Sequence, residues 1–385
     1  MASFASLGLK KEILDVLNRL KYREALEVQE KIIPLTLQGN NVVFTSRTGS
    51  GKTLAYTLGC LGKLDKKKGA QLVVLVPTRE LCVQVGKEIE TICGPLGMKV
   101  GTLYGGRDIK GDYKTTDRKN QVIVGTPGRL IEHVNAKRVK VGDALTLVYD
   151  ESDQMFDLGF YDECAYMRTR VGKNAQIILA SATITPKVEA FISEEINHYE
   201  LLKVGEQIPK QIVQEKIYCK IKDKNDLLFT VFSEKRFRCA MVFCNTKIKT
   251  HMVSQFINSK GIKAMPLNSD MRQMDRLNCL NLFKDGKIPV LVATDVAARG
   301  LQIGHVDLIV NYDVPTRAEF YVHRIGRSGR LEHKGRAVTF VCPEDEERFD
   351  LIEFEYELKI SSRGERATKE EVEPSPQDAD SVQAI

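Results

Sequence analysis

The stretch "VVFTSRTGSGKTLAYTLGCL" (Val42–Leu61) decides the fold class. Its apolar start, Val42–Phe44, reads as a strand, "SRTGSGKT" (Ser46–Thr53) as a tight loop and "LAYTLGCL" as a helix. A strand handing over to a helix through such a loop would point backbone N–H groups, here those of Gly49 to Thr53, at the β- and γ-phosphates, helped by the positive helix terminus. That geometry suits phosphate. Lys52 would place a point charge on the β- and γ-phosphates, and the Thr53 hydroxyl would ligate Mg²⁺. Ser46 stands where the general pattern has its first glycine, and it is small enough to fit. The alternative is a plain glycine-rich turn; GSGKT in a strand–loop–helix context favours nucleotide binding.

The same alternation runs along the chain. Apolar runs recur at Leu72–Val76, Val122–Val124, Leu145–Tyr149 and Ile177–Ala180, then at Ala240–Cys244, Val290–Ala293, Leu308–Val310 and Ala337–Val341. Segments between them, such as "RELCVQVGKEIETI" and "KIKTHMVSQFINSK", repeat apolar residues at three- and four-residue steps, as amphipathic helices do. Strand and helix alternating twice over predict an α/β protein of two doubly wound, mostly parallel sheets. With 385 residues and 43% hydrophobic content there is material for two cores. The expected division is an N-terminal domain at 1–204, a short linker at 205–211 carrying Gly205 and Pro209, and a C-terminal domain at 212–360. Residues 361–385 read as a disordered polar tail, with three basic residues against six acids. The net charge of +6 fits an anionic partner such as nucleic acid, although many proteins carry as much. No apolar run of about 18 residues exists, so no membrane span is expected. The start lacks the apolar core of a secretory signal. Nine cysteines without a C-x-x-C pair suit reduced thiols in an intracellular protein, and six histidines show no metal-ligand spacing.

"LTLVYDESDQMFDLGF" (Leu145–Phe160) ends a strand in Asp150, Glu151 and Asp153. Acids at a strand-to-helix junction commonly cap the helix. Beside a phosphate loop they acquire chemistry: Asp150 at a strand end suits water-mediated binding of Mg²⁺, and Glu151 can polarise an attacking water. Capping survives as the reading for Asp153. "YVHRIGRSGR" (Tyr321–Arg330) spaces Arg324, Arg327 and Arg330 three residues apart. A solvated helix face is the bland alternative, but Gly326 and Gly329 would weaken a surface helix, so the arginines read as an anion site.

These motifs, with "PTREL" (Pro77–Leu81), Gly105–Gly106, "TPGRL" (Thr126–Leu130), "SAT" (Ser181–Thr183), "QMDR" (Gln273–Arg276) and "ATDVAARGL" (Ala293–Leu301), stand in the order of the DEAD-box RNA helicases. The chain resembles that family from Phe4 to about Phe349. The resemblance implies two RecA-like domains closing over ATP and single-stranded RNA. It implies ATP contacts from Ser46, Thr48, Gly49, Ser50, Gly51, Lys52 and Thr53. Gln29 would read the adenine edge, Phe4 would stack on the base and Gln302 would stand near the ribose. Asp150, Glu151 and Lys52 would be catalytic, with Arg327 and Arg330 as arginine fingers from the second domain. Thr78, Arg79, Gly106, Thr126 and Arg129 would grip the RNA backbone in the first domain, and Arg276 and Thr294 in the second. Ser181 and Thr183 would bond Asp153 and couple hydrolysis to unwinding. His323 would contact the acidic box, and Arg299 would join the two ligand sites. Backbone contacts of this kind imply largely sequence-independent, salt-sensitive binding.

Several positions depart from the family pattern. Ser152 replaces Ala; Lys21, Ala25 and Leu26 replace Gly, Pro and Thr; Asn268 replaces His; Ser328 replaces Thr. Gln302 replaces an Asp, removing a charge near the ATP ribose, so an ATP-gated RNA clamp with slow turnover is a second reading. A DNA helicase is a third, disfavoured by an RNA-type motif set. The chain is expected to act as a monomer, with protein or RNP partners supplying specificity. "KLDKKK" (Lys63–Lys68) is a candidate patch for such selection, though it reads first as a solvated loop. The opening "FASLGLKKEIL" looks most like eukaryotic members, giving an expectation of ribosome assembly and a nuclear or nucleolar site, with the cytoplasm open.

Overall fold

The computed structural model describes residues 2–47, 49–106, 108–112, 115–116, 120–205, 211–234, 237–298, 306–328 and 335–366. The chain folds as two compact units. The first carries β1 (Asn41–Thr45), β2 (Leu72–Leu75), β3 (Val100–Leu103), β4 (Val122–Gly125), β5 (Thr146–Asp150), β6 (Gln176–Ser181) and β7 (Tyr199–Lys203). They form one sheet in the order β3-β4-β2-β5-β6-β1-β7. The second carries β8 (Ile212–Tyr218), β9 (Ala240–Phe243), β10 (Ala264–Leu267), β11 (Val290–Ala293), β12 (Leu308–Asn311), β13 (Gly335–Val341) and β14 (Ser361–Arg363), ordered β10-β11-β9-β12-β13-β8-β14. The pairings are parallel throughout both sheets. Counted within each unit, both sheets are wound in the same order, third-fourth-second-fifth-sixth-first-seventh. The two halves share one topology.

Parallel sheets need cover on both faces, and alternate residues of one strand feed opposite cores. Val42 and Phe44 of β1 join Leu72, Val74 and Val148 on one face of the first sheet. Val43, Val73, Leu147 and Tyr149 join Ile177 and Leu179 on the other. In the second unit Ala240, Val242, Val290, Val310 and Phe340 share one core. The nine cysteines are free thiols. Among the described residues, no helix is long and apolar enough to cross a membrane.

One expectation changes. The polar tail does not begin at 361: Ser361–Arg363 pairs in parallel with β8 as an edge strand. Its anchor is electrostatic, since Arg363 pairs with Glu215 and Glu234, and Arg366 with Glu346 and Asp350. The linker expected at 205–211 falls mostly on 206–210, outside the described residues. Lys21, in place of the family's glycine, adopts φ 63°, a left-handed conformation that costs a side-chain-bearing residue about 1 kcal/mol.

Candidate functional site

Ligands of doubly wound sheets bind beyond the carboxyl ends of the strands. In the first unit β5, β6 and β1 are neighbours, with Asp150 aligned to Ala180 and Thr45 to Ser181. The phosphate loop, the SAT segment and the acidic box therefore emerge side by side from one edge. Gly49 and Gly51 take φ 79° and 92°, so the loop turns back on itself before the helix Lys52–Leu61. A Cβ on Gly51 would meet Gln29 Nε2 at 2.5 Å. Lys52 is buried, its Nζ donating to the carbonyls of Ser46 at 2.8 Å and Arg47 at 3.2 Å. Ser46 Oγ donates to Ser50 Oγ at 2.8 Å. Thr48 lies outside the described residues.

Asp150 and Glu151 leave β5 in different directions, because Glu151 adopts φ 52° and ψ 49°. A non-glycine residue held in that region is strained, and such strain clusters at functional sites. Asp150 Oδ2 accepts a buried hydrogen bond from Tyr56 Oη at 2.9 Å. Asp150 Oδ1 and Glu151 Oε2 are buried and bond no described group. Burial pushes the Asp150 carboxyl up to about 6; the Lys52 charge opposes the rise and Glu151 adds to it. Burial, then Asp150, holds Tyr56 well above its usual range, so it remains a hydrogen donor. Glu88 closes the cluster: burial and then Asp150 push it up to about 7, against a hydrogen bond from Thr53. A helix terminus, an ammonium group and carboxylate oxygens left open are what a magnesium-bound triphosphate requires. Tyr56 and Glu88 escape a motif reading. The signals that could have exposed them are a hydroxyl four residues beyond Lys52 and an acid on the inner side of the helix Arg79–Cys93.

Asp153 is tied to the neighbouring strand. Its Oδ2 accepts from Thr183 N at 3.0 Å and Thr183 Oγ1 at 2.9 Å, while Asp153 N donates to Ser181 Oγ at 3.3 Å. Its Oδ1 accepts from Gln154 N at 2.9 Å. Ser152 fits its buried position by donating to the Ala180 carbonyl at 3.4 Å.

The other half of the same edge, β3-β4-β2, ends in two helix N-termini and a glycine. Thr78 caps the helix Arg79–Cys93 by accepting from Leu81 N, and Thr126 is the N-cap of Pro127–Asn135. Gly106, at φ 86°, packs directly on Arg79, whose guanidinium a Cβ there would strike. Arg129 faces inward instead: Nε donates to buried Asp112 at 2.7 Å and Nη1 to Glu132 at 2.9 Å, with its side chain 9% exposed. Two adenine-site expectations also meet a different arrangement. Phe4 is 4% exposed and packed in the first unit's core, so its ring face is not open to a base; burying an aromatic ring is the larger gain here. Gln29 uses Oε1 on Leu26 N at 2.9 Å and Nε2 on the Gly51 carbonyl at 3.3 Å, bracing the phosphate loop from within.

Sequence comparison supplies the family. Residues 26–191 match the DEAD/DEAH box helicase family model, and residues 220–332 match the helicase conserved C-terminal domain. The ATP-dependent RNA helicase CshA of Listeria monocytogenes is 36% identical over 92% of this chain and 68% of its own length. The chain belongs to the DEAD-box ATP-dependent RNA helicases. CshA of Geobacillus kaustophilus is 37% identical over 90% of this helicase and 74% of its own length. Among solved structures, S. cerevisiae Dbp5 bound to RNA and ADP BeF3 matches with a TM-score of 0.84 at 27% identity, covering 94% of this helicase and 96% of that chain. The two units of this helicase are RecA-like.

The second unit of the helicase separates its arginines. Arg324 is no anion ligand. It is 1% exposed, and its guanidinium is held on every side. Nε and Nη2 donate to the two Asp295 oxygens at 2.6 and 2.7 Å, Nη1 to the Asp313 carbonyl at 2.7 Å and Asn311 at 3.3 Å, and Nη2 also to Asn245 at 2.9 Å. The helix Ala318–Ile325 ends at Gly326, and Arg327 follows in the turn with its N–H on the Arg324 carbonyl at 3.2 Å; it too is buried, 4% exposed. His323 is half-buried on that helix. Thr294 follows β11 at the carboxyl edge of the second sheet, and Arg276 Nη2 donates to the Ala297 carbonyl at 2.9 Å. Arg299, Gln302 and Arg330 lie outside the described residues.

Proposed function

We propose that the helicase binds ATP with Mg²⁺ at the β5-β6-β1 end of its first sheet and RNA backbone at the β3-β4-β2 end. On this reading it couples hydrolysis to local duplex unwinding or RNP remodelling. The observation that carries the reading is the pair of buried oxygens, Asp150 Oδ1 and Glu151 Oε2, left open beside Lys52. Lys52 and the terminus of the helix Lys52–Leu61 hold the phosphates. Asp150, through water, and the Thr53 hydroxyl would hold Mg²⁺, whose charge neutralises the phosphate oxygens when bound. Glu151 takes the proton of the attacking water. Arg327 and Arg330 serve as arginine fingers. The tie from Asp153 to Ser181 and Thr183 links the acidic strand to its neighbour and supports a coupling role.

Thr78, Arg79, Gly106 and Thr126 offer helix termini and a guanidinium to phosphate, and Arg276 and Thr294 do so in the second unit. Such a grip selects backbone. The choice of transcript, pre-ribosomal or other, then falls to protein partners. RNA enters this reading because Dbp5, a structural neighbour, is bound to RNA. The test is multiple-turnover ATPase with and without single-stranded RNA, with a DNA strand of equal length as competitor. Strong stimulation by RNA supports the reading. RNA binding only beside a non-hydrolysable ATP analogue, with negligible stimulation, points to the clamp instead.

Two further outcomes are expected. Tyr56→Phe removes the donor that orients Asp150 and should raise the Mg²⁺ half-saturation for ATP binding about tenfold. Nucleotide affinity measured in chelator should stay unchanged; equal Mg²⁺ dependence in both proteins would remove the positioning role. Gly106→Ala displaces Arg79 at a backbone cost of about 1 kcal/mol. RNA affinity should fall about tenfold with ATP affinity intact, as titration of labelled RNA will show.

A further inference from the structure

The lysine turn Lys63–Lys68 takes no part in the site above, yet it is a built element. Gln71 and Gln121, both buried, turn their amides to it. Gln71 Nε2 donates to the Asp65 carbonyl at 2.8 Å and the Gly69 carbonyl at 3.2 Å, and its Oε1 accepts from Asp65 N at 2.9 Å. Gln121 Nε2 donates to the Lys68 carbonyl at 2.9 Å and the Lys66 carbonyl at 3.1 Å. Buried amides satisfied in this way fix the turn's backbone, because breaking the bonds would leave polar groups unpaired. The lysine side chains stay exposed, as the solvated-loop expectation has it, but the backbone that carries them is fixed. Gln71 immediately precedes β2 and Gln121 precedes β4, so the turn lies at the amino edge of the first sheet. The ATP edge is about 15 Å away along the strands, at roughly 3.3 Å per residue.

Beside the turn opens a cavity of about 810 Å³. Its apolar floor is Ala70, Ile123, Val139 and Leu145, the last 42% exposed although apolar. Lys68, Arg138 and Lys140 stand among its lining residues. The segments 63–68 and 137–143 together hold seven cations and two acids. Lys66, Lys67, Lys68, Lys137 and Lys140 form no ion pair with another described residue. Asp65 and Asp143 also line the cavity, so its rim is mixed, with Lys68, Arg138 and Lys140 leaving it net positive. A recessed aliphatic floor under a net positive rim is complementary to a base with its phosphate. An acidic peptide would match the charge but leave the apolar recess unfilled.

We propose that this cavity is an auxiliary site for a nucleotide unit of the RNA strand, on the edge of the sheet opposite the ATP and RNA motifs. The proposal rests on the RNA-binding reading above. A free mononucleotide shares the chemistry, and the test separates the two.

The full chain and its Lys66→Gln/Lys67→Gln/Lys68→Gln/Lys140→Gln variant are titrated with fluorescein-labelled oligouridines of about 8 and about 40 nucleotides, below and above a single-domain footprint. The expected result is selective. The long RNA binds the variant about tenfold more weakly, and its log-affinity against log-salt slope is shallower by about 2, the change expected when about three phosphates are no longer neutralised. Short-RNA affinity and short-RNA-stimulated ATP turnover stay at the wild-type level. Equal losses at both lengths reduce the lysines to a general field and overturn the site. No loss at either length also overturns it and leaves an acidic protein as the partner. Uridine monophosphate binding lost in the variant, without a long-RNA effect, reassigns the cavity to free nucleotide and overturns the RNA assignment. If short RNA fails to stimulate the wild type at all, the failure belongs to the RNA reading itself.

Discussion

Replacing Glu151 with Gln should leave ATP and RNA bound while RNA-stimulated turnover falls by about 10²- to 10⁴-fold, the range for loss of a general base. Size and backbone demand stay the same, because the left-handed conformation at φ 52° is strained for Gln as it is for Glu. Only the proton-accepting charge is lost. Asp150 keeps its bond from Tyr56, and Lys52 keeps its place, so nucleotide affinity has no reason to change. Single-turnover hydrolysis alongside equilibrium binding of a labelled nucleotide separates the two effects. Hydrolysis within a few-fold of wild type would contradict the assignment; a parallel loss of nucleotide binding would make Glu151 a binding residue instead.

Arg324→Ala should destabilise the second unit by about 3–5 kcal/mol, the usual result of removing one partner from a buried ion pair. The guanidinium satisfies both Asp295 oxygens, the Asp313 carbonyl, Asn311 and Asn245. Its removal strands a carboxylate and three neutral acceptors near the ends of β9, β11 and β12. Arg324→Lys should recover part of the loss, since an ammonium group cannot span the bidentate fork. The two units have separate cores, so a single melting temperature would blend them. Hydrogen exchange of the β9, β11 and β12 amides isolates the second unit, with β1 and β5 as internal controls. A loss below about 1 kcal/mol would mean that water or repacking replaces the network.

The strand pattern shows where sequence reading succeeds. The five interior strands of the first sheet announce themselves as apolar runs, because both faces are covered and neither tolerates polar side chains. So do β9, β11, β12 and β13. All four edge strands, β3, β7, β10 and β14, escape that reading. Tyr199 and Leu201 of β7 are exposed, β10 contains Pro266, and β14 is the polar triplet Ser361–Arg363. An edge strand has one unpaired side and can carry such residues. β8 escapes as well, although it is interior; its polar residues Gln214, Glu215 and Lys216 sit where only three residues of β14 cover its outer side.

By itself the sequence determined the phosphate loop, the acids at the end of β5 and the places along the chain of most interior strands. Each of these depends on neighbours in the chain: glycines that bend a loop, a residue that begins a helix, a run that must be dry on both sides. Tertiary structure alone decided that Arg324 is an internal brace while Arg327 follows it in a turn, that Phe4 is core, and that Tyr56 and Glu88 surround Asp150. It alone turned a run of lysines into a fixed rim, through two glutamines that no local pattern connects to it. The physical reason is common to all of them. A charged or aromatic side chain is defined by what it is buried against, and those partners come from distant parts of the chain.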